Sequence, residues 1–245
     1  RDYYASRGLG DVYKRQVTGF CPGKSVSDNA RVHLGRKNVL KVDLHDFFPS
    51  IRSPRVRAAF REMGYSRPIA KVLAELCCLR CCLPQGAPTS PALSNIIAYP
   101  MDKKMMALAG EYGLVYTRYA DDLTFSGDYL PKDEVLVRIH RIIREEGFTM
   151  NVKKTRFLSE HKRKIITGVS VSSGKKMTLP KVKKREIRKN VHYVLTKGLV
   201  GHQEHIGSTD PVYLKRLLGS LCYWRSIEPD NRYVSDSITA LKRLM

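Results

Sequence analysis

Midway along the chain, Leu114-Val-Tyr-Thr-Arg-Tyr-Ala-Asp-Asp-Leu-Thr-Phe-Ser-Gly127 sets two adjacent carboxylates, Asp121 and Asp122, inside a run of apolar, aromatic and β-branched residues. Such a run favours extended backbone, and the pattern predicts strand, tight turn, strand with the acids at the turn. Neighbouring carboxylates repel, and each loses hydration on burial. Asn-Gly or Asp-Gly would make a hairpin turn more easily. The pair therefore points to a ligand role, and oxygen ligands of this kind suit a hard divalent cation such as Mg²⁺. The alternative is a solvated turn that carries two acids.

A third acid bears on that choice. Asn38-Val-Leu-Lys-Val-Asp-Leu44 reads as a buried strand, with Asp43 at its C-terminal end. On a strand beside the hairpin, Asp43 would complete a three-carboxylate cluster. Such a cluster can hold two metal ions about 3.5–4 Å apart for in-line nucleotidyl transfer.

Charge narrows the partner. Lys plus Arg number 44 and Asp plus Glu 23, a net +21. Residues 151–200 alone hold 15 Lys/Arg against 2 Glu. Basic residues there alternate with apolar ones, and no Trp/Phe/Leu-rich amphipathic face accompanies them. Nucleic acid fits better than a membrane. No apolar run approaches the ~20 residues of a membrane span.

Helices are expected around 28–33, from Ser53-Pro54 to Gly64, over 68–78, from Ser90-Pro91 to Ala109, over 131–146, over 181–196, and over about 211–225 and 231–244. Strands are expected over 148–158 and 164–171. Four of six cysteines lie in Cys77-Cys-Leu-Arg-Cys-Cys82. Their adjacency is a poor disulfide framework and suggests a reducing compartment. Buried thiols closing a helix are expected rather than a zinc site at Cys78 and Cys81, because no second pair has zinc-site spacing. Residues 1–16 have no clear period and end in Asp11-Val-Tyr-Lys-Arg-Gln16, which resembles translated adapter read-through. They are expected to be non-native and to stand where a natural N-terminus was lost.

Four motifs in order carry a resemblance: Val42-Asp43-Leu-His-Asp46-Phe-Phe-Pro-Ser-Ile51, Leu83-Pro-Gln-Gly-Ala-Pro-Thr-Ser-Pro91, Tyr119-Ala-Asp-Asp122 and Gly147-Phe-Thr-Met-Asn151-Val-Lys-Lys154-Thr155. From Val17 onward the chain resembles bacterial retron reverse transcriptases. Asn29-Ala-Arg-Val-His33 is similar to that branch's N-A-x-x-H element, and Ile166-Thr167-Gly168 to its V-T-G element.

The resemblance implies an α+β right-hand polymerase fold: an antiparallel palm sheet backed by helices, with partial fingers and a helical thumb. The expected divisions are 17–37 partial fingers, 38–172 palm with finger-side helices over 54–82, and 173–245 basic helical thumb. It implies RNA-directed DNA synthesis in bacterial cytoplasm and a role in phage defence. A structured non-coding RNA would serve as template and primer source. An RNA–DNA hybrid, dNTPs and a defence effector protein are the other implied partners.

It assigns two Mg²⁺ ions, with Mn²⁺ as an alternative, to Asp43, Asp121 and Asp122, with Leu44 beside them. Phe48 would exclude a ribose 2′-OH, although a core aromatic is the plainer reading. Gln85 and Gly86 would contact the nucleotide or template. Lys154 would protonate or neutralise the departing pyrophosphate, or else lie on a solvated basic face. Tyr119 would pack near the primer end. Thr167, Gly168, Lys183, Lys184, Arg185 and Arg188 would bind RNA. His33 is expected to fix local structure, and Asp46 to cap or pair. The cations that hold a triphosphate are expected upstream of Val17. Two alternatives stand beside this reading: another stand-alone bacterial reverse transcriptase of diversity-generating or abortive-infection type, and a fingers-truncated fragment that only binds structured RNA.

Overall fold

The computed structural model describes residues 16–245. The reading of residues 1–16 as non-native lies, apart from Gln16, outside the described residues.

Helix α1 (Val26–Arg31) begins at a reciprocal cap. The Ser25 hydroxyl accepts the Asp28 N–H while the Asp28 carboxylate accepts the Ser25 N–H. Strand β1 (Asn38–Asp43) follows, then a single turn, α2 (Phe47–Ser50), and two helices, α3 (Ser53–Glu62) and α4 (Arg67–Cys77). The long α5 (Ser90–Glu111) runs through Pro100 without ending. It leads into the hairpin β2 (Val115–Tyr119) and β3 (Asp122–Gly127), then α6 (Lys132–Glu145) and the short β4 (Arg156–Leu158). A small hairpin, β5 (Ile165–Ile166) and β6 (Val169–Ser170), precedes α7 (Lys181–His205), α8 (Tyr213–Ile227) and α9 (Arg232–Lys242).

The main sheet is antiparallel in the order β2-β3-β1-β4. Side chains alternate across it. Leu40 and Val42 of β1, with Leu123 and Phe125 of β3, face α5 and α6 and pack with Met101, Met105, Leu108, Val135 and Ile139. Each such fully buried side chain contributes about 1.5–3 kcal/mol. The opposite face carries Val39, Lys41 and Asp43. Val39 joins a second core made by the β5–β6 hairpin and α7–α9, with Trp224 at 0% exposure among them. At the Asp43 end the same face opens to a cavity.

Three expectations need correction. The strand expected over 148–158 survives only as β4, because Asn151 accepts N–H groups from Lys154 and Thr155 and turns the chain. The strand expected over 164–171 folds back on itself at Thr167-Gly168, both at positive φ. The cysteines are half-buried or exposed free thiols. Of the four clustered cysteines only Cys77 lies in a helix, because Arg80 and Cys81, both at positive φ, form a tight turn that pairs Leu79 with Cys82. The helix expected over 181–196 forms, and it continues past a kink at Gly198 to His205. Among the described residues, no helix is long and apolar enough to cross a membrane.

Candidate active site

Pairing of β1 with β3 sets Asp43 directly opposite Asp122. Cross-strand partners share a face at close range, so two carboxylates confront each other where an ordinary sheet avoids it. Asp121 occupies the two-residue turn between Tyr119 and Asp122, and its carbonyl accepts the Leu44 N–H at 3.0 Å. Burial pushes the Asp121 carboxyl above the usual carboxylate range, and the charges of Asp122 and Asp43 add to it. Burial likewise raises Asp122, with Asp43 adding to the effect and Lys41 opposing it. The Asp43 Oδ2 faces Lys154 Nζ at 3.3 Å, whereas its buried Oδ1 has no hydrogen-bond partner. An unpaired buried oxygen beside a second carboxylate is the kind of donor a hard cation satisfies. Among the described residues, no three acidic, His or Cys side chains converge into a finished metal cage.

A cavity of about 350 Å³ adjoins these acids, lined by Asp43, Asp121, Phe48, Gln85, Asn151 and Lys154 among others. Gln85 sits in a loop fastened by the Ser90 hydroxyl, which donates to the Pro84 carbonyl at 2.7 Å. Gly86 follows it at φ 93°. Asn151 N–H donates to the Asp43 carbonyl at 2.8 Å, and its Oδ1 accepts the Lys154 N–H. Asn151 thereby ties Lys154 to the strand that carries Asp43.

The turn itself is held from beneath. Ala120 takes a φ of 56°, a position where a hairpin ordinarily places glycine. Arg118, wholly buried, donates through Nε and Nη2 to both carboxylate oxygens of buried Asp102, at 2.8 and 2.7 Å. Its Nη1 reaches Asn95 Oδ1 and the Ala120 carbonyl, at 3.0 and 3.2 Å. Tyr116 donates its hydroxyl to Asp102 at 2.7 Å. Asn95 and Asp102 are seven residues apart on α5, hence on one face. A buried charge must be paired, so Arg118 amid an apolar strand and Asp102 amid an apolar helix are the signal that could have found this clamp. Neither was expected as a site residue, nor were Asn151 and His45. His45 pairs with Asp46 at 3.1 Å, and Asp46 does not cap α2 with its side chain.

Segment 17–19 buttresses the same turn. Thr18 N–H donates to the Arg118 carbonyl at 3.1 Å, and Asn95 Nδ2 donates to the Gly19 carbonyl at 2.9 Å. A Cβ on Gly19 would lie 2.5 Å from the Ala120 nitrogen. His33, buried, bridges the Thr117 and Ser126 hydroxyls across β2 and β3, and burial depresses its pKa to about 3.

With this geometry in view, comparison with known proteins is decisive. A family model described as "Reverse transcriptase (RNA-dependent DNA polymerase)" matches residues 6–193. The chain belongs to the reverse transcriptase family. Retron Ec86 reverse transcriptase of Escherichia coli is 39% identical over 77% of this chain and 58% of its own length. Retron Mx65 reverse transcriptase of Myxococcus xanthus is 37% identical over 88% of this chain and 52% of its own. The chain therefore spans little more than half the length of these relatives. The fold is similar to a Candida tropicalis apo telomerase truncated from its C-terminal domain, with a TM-score of 0.52 at 12% identity over 72% of this chain and 43% of the other. A mixed α/β body with an antiparallel sheet is the reverse-transcriptase palm.

The remaining expected residues scatter around that palm. Leu44 has its side chain buried in the apolar core, so only its backbone is available to an ion. Phe48 is half-buried and Tyr119 lies at the end of β2. The Thr167 hydroxyl donates to the Val26 carbonyl at 3.1 Å and lies 3.4 Å from Asn29 Nδ2, so it ties the β5–β6 turn to α1. Gly168 is exposed on that turn. On α7, Lys183 pairs with Glu186 on the surface, and Arg185 and Arg188 are exposed. Lys184 turns inward instead, 2.7 Å from Glu228 and over the Trp224 ring, where it offsets the charge of that half-buried acid at the edge of the second core.

Proposed function

We propose that this protein is a retron-type RNA-directed DNA polymerase that copies a structured RNA into DNA. The observation that carries the reading is the register of Asp43 against Asp122, with Asp121 on the adjoining turn, beside a cavity lined by Phe48, Gln85 and Lys154. Asp43, Asp121 and Asp122 are the residues to hold divalent ions, Mg²⁺ by the hardness of the donors. When bound, such ions activate the attacking hydroxyl and offset the charge of the leaving pyrophosphate.

The protein's own groups do the rest. Gln85 and the backbone at Gly86 position the incoming nucleotide, and Phe48 closes the space a ribose 2′-OH would need. A primer hydroxyl oxygen attacks the α-phosphorus, its proton leaves to solvent, and the bond to pyrophosphate breaks. Lys154, held at the mouth by Asn151 and Asp43, places positive charge at the leaving group. The basic outer face of α7 meets the phosphates of template and product, which positions the duplex without reading its sequence. On this reading a structured non-coding RNA serves as template and primer source, and the protein has a place in phage defence.

The test is primer extension on an RNA template with dNTPs and Mg²⁺. Product is expected, with loss of at least about 10³-fold in Asp121→Asn and Asp122→Asn variants, on the scale of removing a group that stabilises transition-state charge. A folded protein that binds the primer–template yet makes no product with either metal, Mg²⁺ or Mn²⁺, refutes the reading.

A further inference from the structure

Phe20 stands out because nothing in its own segment explains it. It is a bulky residue at φ 62°, a region such side chains rarely occupy, and it is 43% exposed. Strain of this kind persists where the surroundings over-determine it. Here the surroundings are Gly19, locked by Asn95 and pressed against Ala120, and two rings of the candidate site. The Phe20 ring lies 6.0 Å from that of Phe48 and 6.3 Å from that of Tyr119, tilted 46° and 36°. Both are within the range of favourable aromatic pairs.

Phe48 is backed on its other side by Phe47 at 5.5 Å, which in turn meets Phe148 at 5.6 Å. The five rings form one row from the buried core to the surface. Phe20 is the member that joins the Phe48 side of the cavity to the catalytic hairpin. Without it, the half-buried Phe48 ring has solvent on its outer side and freedom to leave the position in which it closes the sugar space.

We propose that Phe20 is a specificity-determining positioning residue: its ring holds Phe48 in place from the solvent side and so sets discrimination between deoxyribonucleotides and ribonucleotides. The inference rests on the reading of Phe48 as the sugar gate. It acts through Phe48, so its effect vanishes when Phe48 is gone.

The experiment is single-nucleotide incorporation on an RNA template, with kcat/KM measured for each dNTP and its matching rNTP. Variants are Phe20→Ala, Phe20→Gly, Phe20→Tyr, Phe48→Ala and the double Phe20→Ala/Phe48→Ala. Phe20→Gly removes the ring while leaving a backbone that glycine adopts freely, so relief of backbone strain offsets part of the lost ring contacts and the variant stays folded. Expected for Phe20→Ala and Phe20→Gly is a drop of about two- to tenfold in the dNTP/rNTP ratio, the factor an aromatic pair of this kind represents. Phe20→Tyr keeps the ratio, and the double variant matches Phe48→Ala alone. A lowered ratio in Phe48→Ala with an unchanged ratio in both Phe20 variants overturns the inference and leaves the gate reading intact. So does a proportional fall for dNTP and rNTP alike. An unchanged ratio in Phe48→Ala overturns the gate reading itself.

Discussion

Replacing Asp102 with asparagine will destabilise this protein by about 3–5 kcal/mol, the range for removing one partner of a buried ion pair. The figure follows from the contacts. Asp102 and Arg118 are both fully buried, and the carboxylate accepts Arg118 Nε, Arg118 Nη2 and the Tyr116 hydroxyl. Asparagine retains one acceptor oxygen and turns an NH₂ toward a guanidinium donor. At least one charge-assisted bond is lost, at about 1.5–3 kcal/mol, and the guanidinium keeps its charge in a dry site. For a chain of this size that corresponds to a fall of roughly 6–20 °C in thermal midpoint. Urea unfolding of the wild type and Asp102→Asn measures it directly. The triple variant Asp102→Leu/Arg118→Met/Tyr116→Phe removes the ion pair and the phenol together and will recover part of the loss, because well-packed apolar groups replace a buried pair at little net cost while Asn95 Oδ1 and the Ala120 carbonyl give up the Arg118 donor. A loss below about 1 kcal/mol in Asp102→Asn, or a triple variant weaker than the single, refutes the assignment of this pair as the anchor of the turn.

Two further outcomes follow from the same neighbourhood. Gly19→Ala pushes a methyl against the Ala120 backbone, which has no flexible side chain to yield. It will cost about 1–3 kcal/mol of stability and, by shifting the acids of the turn, lower primer-extension kcat on the order of 10²-fold, as read in steady-state kinetics beside thermal melts. His33 is held neutral, with a pKa near 3 against 6.5 in an unfolded chain. A depressed histidine makes the unfolded state the stronger proton binder, so its contribution is intact above pH 6.5 and is lost as pH falls toward 3. Urea midpoints compared between pH 7.5 and 4.5 will fall less in His33→Gln than in the wild type, and parallel profiles would dismiss the histidine as the source.

The side of the fold that carries the three acids was legible because its signals are local. Two acids in a β-branched run, a third at the end of an apolar strand and proline-marked helix starts each stand on a few adjacent residues. The register that sets Asp43 against Asp122 is the one that keeps Leu40 and Val42 on the same buried face as Leu123 and Phe125. What could not be read was set by distant partners. Lys184 looks like the other cations of its helix, yet Glu228, 44 positions on, turns it inward. Thr167 carries a β-branched side chain at positive φ because Val26 and Asn29, nearly 140 positions earlier, hold its hydroxyl. Segment 148–158 has strand composition, but Asn151 captures the N–H groups a strand would use.

That contact between α1 and the β5–β6 turn has a consequence for chimaeras. Asn29 reaches Thr167 on one side, while His33, four positions on, grips both strands of the hairpin that carries the acids. The C-terminal helices and their small hairpin are thus not a cassette that can be exchanged at a single junction. A transplant of residues 159–245 that does not bring a threonine to the position of Thr167 leaves Asn29 and the Val26 carbonyl without that partner. Swaps that carry both segments together should keep the host's thermal midpoint, whereas swaps of the C-terminal segment alone that lose this contact should lower it.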